Sequence, residues 1–384
     1  MDTDPLSRAK AVAERSLRAN LHPLSNGRTV LSAGARQFRS VWTRDFCFAS
    51  GGLLALGEAS AVRDTLDEIL QNRRADGLYP RLLDSYGTLT HFSRAFFKGS
   101  IPLVHPLRPN FISDHLVLSI DSNALAVWTA GRYALHTGDR AWAESVLPAL
   151  KQGMHWYEAV LTDGLVRQPP FSDWKDTIAA RRGAVFFTQL LLWQAQRAMA
   201  SLLDLTGKAE TSPPWRRRAE VLAARMREEF WDESGGFFKD TVLHPVFSSD
   251  GNLAAVAWGF ATDEEAGRIL KALDGLGLMT PIGPRAAQPY PLSEKGWLSL
   301  FAGILGYHDD YVWVWNSALA LSAFQRMGLL DRREALLSGI CRMLEEQGEL
   351  GEVYHADGTQ VRTWLYRSES PFSWSSGMFL EAVS

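Results

Sequence analysis

The sequence predicts an all-α protein in which six helical hairpins close into a ring, the arrangement called an (α/α)6 toroid. Apolar residues recur at helical spacing in twelve segments. Tight turns and long loops alternate between these segments, and no run of alternating apolar and polar residues predicts a central sheet. Because no shift in composition marks a boundary, we expect residues 1–384 to form a single domain.

Several predicted helices are bounded by residues that favour helix starts or ends. Gly57, Gly138 and Gly328 lie at or just after the ends of predicted helices, and Asp139 and Thr262 lie just before the starts of others. Extended structure is confined to two short pieces, residues 235–238 and 350–354. The helices are predicted over residues 5–20, 46–57, 60–73, 122–137, 140–160, 184–205, 213–230, 250–260, 263–274, 312–327, 331–347 and 372–383.

The connections between the helices fall into two classes. Tight turns at residues 56–60, 137–139, 261–263 and 327–331 join helices into hairpins. The long loops are rich in Gly, Pro, Trp, His and charged residues, and they cover residues 74–121, 161–183, 231–249, 275–311 and 348–371. Long loops in compact domains are more often functional than accidental, so we expect them to wall a central funnel at one end of the ring. A straight solenoid is the alternative, but it requires a more regular repeat.

Composition excludes several classes of protein. With 40 Lys and Arg against 43 Asp and Glu, the net charge is −3, and no basic footprint predicts a nucleic-acid partner. The longest apolar runs are shorter than the ~20 residues of a membrane span. The isolated cysteines Cys47 and Cys341 fit neither a zinc motif nor a disulfide framework. The acidic start of the chain differs from a signal peptide, so the sequence predicts a soluble, cytoplasmic protein of unassigned oligomeric state.

The first chemical motif is Trp42-Thr43-Arg44-Asp45, just before the second predicted helix. A guanidinium supplies several donors, a carboxylate accepts, and an indole offers an apolar face. Together these groups suit the hydroxyls and the apolar face of a sugar ring. The alternative is that Asp45 only caps the helix and pairs locally with Arg44.

The second motif is Asp173-Trp174-Lys175-Asp176, in the long loop before the sixth predicted helix. Trp174 would raise the pKa of one carboxyl by desolvation, while Lys175 or Arg181 would stabilise the ionised neighbour. Such a pair can provide one protonated acid and one carboxylate. A solvated turn whose carboxylates cap helices is the alternative.

The third motif is Gly351-Glu352-Val353-Tyr354, followed by Trp374 in Ser-Trp-Ser. Glycines that flank Glu352 allow the backbone to approach a ligand closely. The nearby Glu349 is expected to face solvent. Taken alone, Trp374 fits a core position in a capped final helix.

Two further segments open predicted helices. Asp121 stands before the fourth helix, where aspartate is a common cap. His308 and the two aspartates after it lead into the segment that contains Trp315. Three contiguous polar residues rarely converge on one ion, so we predict no metal and no other cofactor.

The chain has 14 tryptophans, and they fall into two groups. Trp42, Trp174 and Trp374 lie near the charged motifs, and we expect them to face one funnel as a sugar cleft requires. Others, such as Trp128 and Trp193, lie on helical faces and are expected in the core.

In this order the motifs resemble those of the inverting glycoside hydrolases with (α/α)6 barrels, which include glucoamylases, amylo-1,6-glucosidases, neutral invertases, trehalases and processing glucosidases. Residues 42–45 look like the glucoamylase WTRD motif. Residues 174–176 look like the WxD of amylo-1,6-glucosidases, and residues 351–354 with 372–374 resemble the segments that contain the general base in processing glucosidases and invertases. The resemblance extends over residues 41–375.

The resemblance implies an inverting hydrolase of a short α-linked oligosaccharide or glycoside, with a small carbohydrate as its partner. It implies Asp176 as general acid and Glu352 as general base. Asp173 is the alternative acid, because trehalases and processing glucosidases place the acid in a GMD or GWD pattern. The predicted substrate-binding residues are Trp42, Arg44, Asp45, Asp121, Trp174, Arg181, His308, Trp315, Tyr354 and Trp374.

Two other functions remain open from the sequence. An isomerase of the N-acylglucosamine 2-epimerase type shares the toroid and would use proton-shuttling groups such as His91, His244 or His308. A sugar-binding toroid that has lost catalysis is the other alternative.

Overall fold

The computed structural model describes residues 4–87 and 102–384, and these contain thirteen α-helices. Twelve coincide with the predicted helices, which confirms the all-α prediction. The thirteenth, α10, has six residues and lies in the loop of residues 275–311. The helices are α1 Pro5–Arg18, α2 Thr43–Ala55, α3 Ala59–Gln71, α4 Ser122–Thr137, α5 Arg140–Trp156, α6 Phe186–Leu205, α7 Pro213–Phe230, α8 Ser249–Ala257, α9 Asp263–Gly275, α10 Trp297–Ala302, α11 Val314–Arg326, α12 Leu330–Gln347 and α13 Ser373–Ala382.

Twelve of these helices form two concentric layers of a closed ring. The inner helices α2, α4, α6, α8, α11 and α13 pack side by side in that order, and α13 packs against α2 to close the ring. Each outer helix follows its inner partner along the chain, except in the sixth hairpin, where α1 packs against α13. The predicted (α/α)6 toroid is therefore confirmed, while the single domain over residues 1–384 stays a prediction.

Burial distinguishes the two layers. Residues 43–54 of α2 are all buried, whereas only five residues of the outer helix α7 are buried. One cluster of buried apolar side chains includes residues from all twelve ring helices. A side chain at Gly52 would come within 2.4 Å of the Gly377 carbonyl oxygen, so glycine is needed where α2 and α13 meet.

Short strands lie in the loops between the helices. The described residues contain thirteen strands of two or three residues each, arranged in six small antiparallel sheets. The two extended pieces predicted from sequence contain β9 and β13. The strands are β1 Leu21–Pro23, β2 Thr29–Leu31, β3 Val41–Trp42, β4 Leu82–Asp84, β5 Arg108–Asn110, β6 Leu161–Thr162, β7 Leu165–Val166, β8 Trp231–Asp232, β9 Phe237–Phe238, β10 Met279–Thr280, β11 Gly283–Pro284, β12 Val312–Trp313 and β13 Val353–Tyr354.

Two of these sheets position the candidate site. Strand β3 leads directly into α2 and pairs with β4, which pairs in turn with β5. Strand β12 leads directly into α11 and pairs with β13, so that Trp313 lies opposite Val353. This pairing brings Glu352, the residue before β13, to the start of an inner helix. No helix in residues 4–87 and 102–384 is long and apolar enough to cross a membrane.

Candidate active site

Asp176 lies in the loop between β7 and α6 and is partly exposed, with 24% of its side chain accessible. Its Oδ2 accepts a hydrogen bond from Nη2 of Arg81 at 3.1 Å. The Oδ1 atom of Asp176 accepts no hydrogen bond from the residues that the structure describes. Burial raises the pKa of Asp176 to about 6, although Arg81 and Arg44 oppose the rise. Asp176 can therefore exchange a proton near neutral pH through an open oxygen.

Arg81, which the sequence did not predict, connects two of the predicted residues. Its guanidinium lies 4.6 Å from the centre of the Trp42 ring, and its Nη1 lies 3.4 Å from a carboxylate oxygen of Asp114. Arg81 is 95 residues from Asp176 in the sequence. No local pattern could have predicted this contact.

Asp173 differs from Asp176 in its surroundings. Its side chain is 1% exposed. One oxygen accepts from Nε of Arg181 at 2.7 Å, and the other accepts from the backbone N–H of Lys175 at 3.1 Å. Both oxygens of Asp173 are therefore engaged inside the protein, whereas Asp176 has an oxygen without a hydrogen bond from the described residues.

A buried ion cluster lies behind this loop and consists of Asp173, Lys175, Arg181, Asp240 and Asp250. Arg181 also pairs with Asp240 and, at 3.2 Å, with Asp250. Nζ of Lys175 donates to Oγ of Ser248 at 2.6 Å and lies 3.6 Å from Asp250. Arg181 is fully buried, so the prediction that it binds substrate is corrected: it neutralises carboxylates in the interior.

The tryptophan cluster, defined as Trp174, Trp313, Trp315 and Trp374, lies beside this ion cluster. Its ring centres are 4.6–6.3 Å apart in the contacting pairs. The indole N–H of Trp174 donates to Asp250, and Trp374 also stacks on Phe48 at 4.8 Å. Trp315 is fully buried. The prediction that Trp315 binds substrate is therefore corrected: its ring packs against those of Trp174 and Trp374 in the interior.

Arg44, Asp45 and Asp121 come together near Asp176. Arg44 binds Asp121 through two nitrogens, at 2.6 and 3.2 Å. Asp121 precedes α4 but its side chain does not cap that helix; it accepts instead from Arg44 and from Ser119. Asp45 is the third residue of α2, and burial raises its pKa to about 7. The positive charge of Arg44 lowers the pKa of Asp176, and the negative charge of Asp176 raises the pKa of Asp45.

Glu352 is held by three donors from two parts of the chain. The hydroxyl of Tyr307 donates to Oε1, the hydroxyl of Tyr366 donates to Oε2 at 2.6 Å, and the backbone N–H of Glu369 donates to Oε2 at 3.3 Å. The rings of Tyr307 and Tyr366 pack edge to face, 5.4 Å apart. Burial raises the pKa of Glu352 to about 8. The sequence indicated Glu352 but not Tyr366, which lies in a loop without a motif.

His308 and Tyr354 support the loops of the site. Nδ1 of His308 lies 2.7 Å from the hydroxyl of Thr177, and its ring stacks on Trp313 at 5.5 Å. Burial holds the pKa of His308 well below its usual range, so the imidazole is neutral. Tyr354 is fully buried, and its hydroxyl accepts from the backbone N–H of Gly351. The prediction that Tyr354 contacts substrate is therefore corrected: it shapes the loop that contains Glu352.

Two histidines of the isomerase alternative have different partners in the described part of the chain. His308 contacts Thr177, whereas His244 lies 3.6 Å from Glu294. His91 lies outside the described residues. In the part of the chain that the structure describes, no three His, Cys, Asp or Glu side chains are arranged to hold a metal ion.

The fold is that of the glycoside hydrolases with (α/α)6 barrels. A family described as the mannosylglycerate hydrolase MGH1-like glycoside hydrolase domain matches residues 173–375. This match covers both Asp176 and Glu352. The chain belongs to this family of glycoside hydrolases, and its substrate is accordingly a small carbohydrate.

Solved structures show the same fold at low sequence identity. A mannosylglycerate hydrolase from Thermus thermophilus, in complex with Tris and D-glycerate, has a TM-score of 0.70 and 16% identity over 98% of this chain and 100% of that chain. A Klebsiella oxytoca rhamnosidase with rhamnose bound has a TM-score of 0.71 and 15% identity over 99% of this chain, which spans 64% of the rhamnosidase. A glycosidase variant in complex with glucose has a TM-score of 0.71 and 18% identity over 100% and 98% of the two chains. No curated protein matches the sequence.

Proposed function

We propose that the chain is an inverting hydrolase of short α-linked glycosides, with Asp176 as general acid and Glu352 as general base. The observation that supports these roles is the contrast in hydrogen bonding between the two carboxyls. Every partner of Glu352 donates to it, which suits an ionised base. Asp176 accepts one bond at Oδ2, and its Oδ1 is open to hold a proton.

The reaction starts from the form in which Asp176 is protonated and Glu352 is ionised. Asp176 gives its proton to the glycosidic oxygen as the bond between that oxygen and the anomeric carbon breaks. A water molecule on the opposite face of the sugar attacks the anomeric carbon and loses its proton to Glu352. Inverting enzymes need carboxyls about 6.5–9.5 Å apart to leave room for this water.

Arg44, Asp45 and Asp121 are proposed to bind hydroxyls of the sugar that is cleaved. Arg44 and Asp121 fix each other through two hydrogen bonds, so their remaining polar atoms are held in place. Asp45 lies beside them with an accessible fraction of 6%. Of the tryptophans, Trp42 and Trp174 are proposed to contact the sugar, because Trp42 stacks with Arg81 and Trp174 lies two residues before Asp176.

The substrate class is proposed from the relatives together with Arg81. The matched family and the Thermus relative are named for mannosylglycerate, a sugar joined to a small hydroxy acid. Arg81 provides a cation beside the proposed acid, where the leaving group must lie. We therefore propose a sugar α-linked to a small acid such as glycerate as the first substrate to test. The cytoplasmic location predicted from the sequence is part of the same proposal.

The test is a panel of glycosides followed by NMR of the anomeric proton. The panel includes mannosylglycerate, a rhamnoside, sucrose, trehalose, maltose and isomaltose. We expect release of the β-anomer from an α-glycoside before mutarotation. Formation of the α-anomer would contradict inversion, and binding of a sugar without turnover on the whole panel would favour the non-catalytic alternative.

Two variants test the assigned roles separately. In Asp176→Ala, an activated leaving group such as dinitrophenolate should restore turnover, because it leaves without protonation. In Glu352→Ala, azide should restore turnover by replacing the water, giving a glycosyl azide of inverted configuration. If either variant keeps near-full activity on the natural substrate, its assigned role is wrong.

A further inference from the structure

We propose that Oε1 of Glu352 is the atom that takes the proton from the attacking water, and that Tyr307 and Tyr366 are positioning residues that fix this choice. The inference rests on the proposed function, because it takes Glu352 as the general base. It goes further by distinguishing the two oxygens of one carboxylate.

The count of donors to each oxygen supports the assignment. Each oxygen of an ionised carboxylate accepts about two hydrogen bonds. Oε2 already accepts from Tyr366 and from the backbone N–H of Glu369. Oε1 accepts from Tyr307, and it receives no second donor in the described part of the chain. One acceptor position on Oε1 is therefore open to water, whereas Oε2 is filled.

The surrounding contacts hold in place the residues that donate to the carboxylate of Glu352. The backbone N–H of Glu352 donates to the carbonyl oxygen of Glu369 at 2.9 Å, so the main chains of these two residues are held together. Tyr307 is anchored through its carbonyl oxygen, which accepts from the indole of Trp313 at 2.7 Å. Tyr366 is anchored through its N–H, which donates to the hydroxyl of Thr363 at 3.0 Å.

The carboxylate of Glu369 extends this support to a third loop. It accepts the backbone N–H groups of Arg36 at 2.7 Å and of Gln37 at 3.2 Å. The backbone N–H of Glu369 that donates to Oε2 therefore belongs to a residue that is held through both its carboxylate and its carbonyl oxygen. Oε2 is the anchored oxygen, and Oε1 is the reactive one.

The proton transfer balances as follows. The water oxygen forms a bond to the anomeric carbon, and its proton moves to Oε1. The bond from the anomeric carbon to the leaving oxygen breaks, and that oxygen takes the proton of Asp176. Glu352 ends protonated and Asp176 ends ionised, and exchange with solvent restores both.

The first experiment compares Tyr307→Phe and Tyr366→Phe, with Tyr311→Phe as the matched control. The ring of Tyr311 packs on His355 rather than on Glu352. Both hydroxyl donors lower the pKa of Glu352, which burial raises to about 8. Their removal should raise that pKa, move the alkaline limb of the kcat/KM profile upward and lower kcat/KM about 10-fold, with little change in KM. Tyr311→Phe should leave the profile unchanged.

The second experiment identifies the oxygen directly. A crystal structure of Asp176→Asn with uncleaved substrate should show the attacking water within about 3 Å of Oε1. A water on Oε2, or unchanged pH profiles in both Tyr→Phe variants, would overturn the inference. The activity of Glu352→Gln distinguishes a failure of the proposed function from a failure of this inference. An active variant would refute Glu352 as the general base, whereas an inactive variant would mean that only the role of the tyrosines is wrong.

Discussion

The hydroxyl of Thr177 lies 2.7 Å from Nδ1 of His308. Thr177 follows Asp176, and His308 follows Tyr307, whose hydroxyl binds Glu352. This hydrogen bond therefore joins the two short segments that hold the proposed acid and the proposed base. The loops of residues 161–183 and 275–311 meet here, and this bond adds to the backbone contacts between them, such as that from the N–H of Gly296 to the carbonyl oxygen of Thr177.

Loss of this hydrogen bond should impair turnover more than binding. We expect Thr177→Val to lower kcat about 5-fold with a small change in KM, because a hydrogen bond of about 1 kcal/mol is lost where the acid is positioned. Thr177→Ser keeps the hydroxyl and should retain most of the activity. Steady-state kinetics of both variants provide the check, and equal kcat values for the valine and serine variants would contradict the idea.

The pH dependence of kcat/KM should be bell-shaped. Burial raises the pKa of Asp176 to about 6 and that of Glu352 to about 8. The working pair holds one proton, and because the pKa of Glu352 lies above that of Asp176, the reactive form with Asp176 protonated and Glu352 ionised is the less populated of the two one-proton forms. Activity should fall below about pH 6, where both carboxyls are protonated, and above about pH 8, where both are ionised. Circular dichroism across this range distinguishes titration from unfolding. A profile that is flat from pH 5 to pH 9 would refute the pair.

Arg81 should control the acidic limb of this profile. Because burial raises and Arg81 lowers the pKa of Asp176, Arg81→Met should raise that pKa and move the acidic limb upward. The exposed Arg108 on the neighbouring strand β5 offers a control, and Arg108→Met should leave the limb in place. An unchanged limb in Arg81→Met would mean that Arg81 does not act on the ionisation of Asp176.

The buried ion cluster should be essential for stability. Lys175→Met removes the cation that lies 3.6 Å from Asp250, and the free energy of unfolding should fall by about 3–5 kcal/mol because a buried carboxylate loses a partner. Urea denaturation measures the effect. Lys271→Met, at an exposed position of α9, should be nearly neutral. Equal midpoints for the two variants would show that the cluster contributes little.

The helical ring could be predicted because its signals are local. Apolar spacing marks the ring helices within their own segments, capping side chains such as Asp139 and Thr262 mark the starts of some, and neither signal depends on distant contacts. Helix α10 was not predicted, because Trp297 and Phe301 are 68% and 58% exposed and leave no amphipathic pattern. Its six residues also make fewer than two turns.

The site could be predicted only where its residues lie in short motifs. Asp176, Glu352 and Arg44 each stand beside recognisable neighbours in the sequence. Tyr366 and Arg81 reach the site from segments without such neighbours, so only the folded chain reveals them. The roles predicted for Arg181 and Tyr354 were corrected because burial is a property of the packing, and the sequence alone does not distinguish an interior arginine or tyrosine from one that lines a cleft.

The tryptophan cluster also gives the protein an optical signature. Near-UV circular dichroism arises from aromatic rings held in fixed packing, and it is lost when that packing loosens. Trp174 and Trp374, 6.0 Å apart, connect the proposed acid loop to the last inner helix, so their coupled signal reports on the distance between loop and barrel. Spectroscopy without any added label can therefore follow ligand entry and unfolding at the centre of the ring.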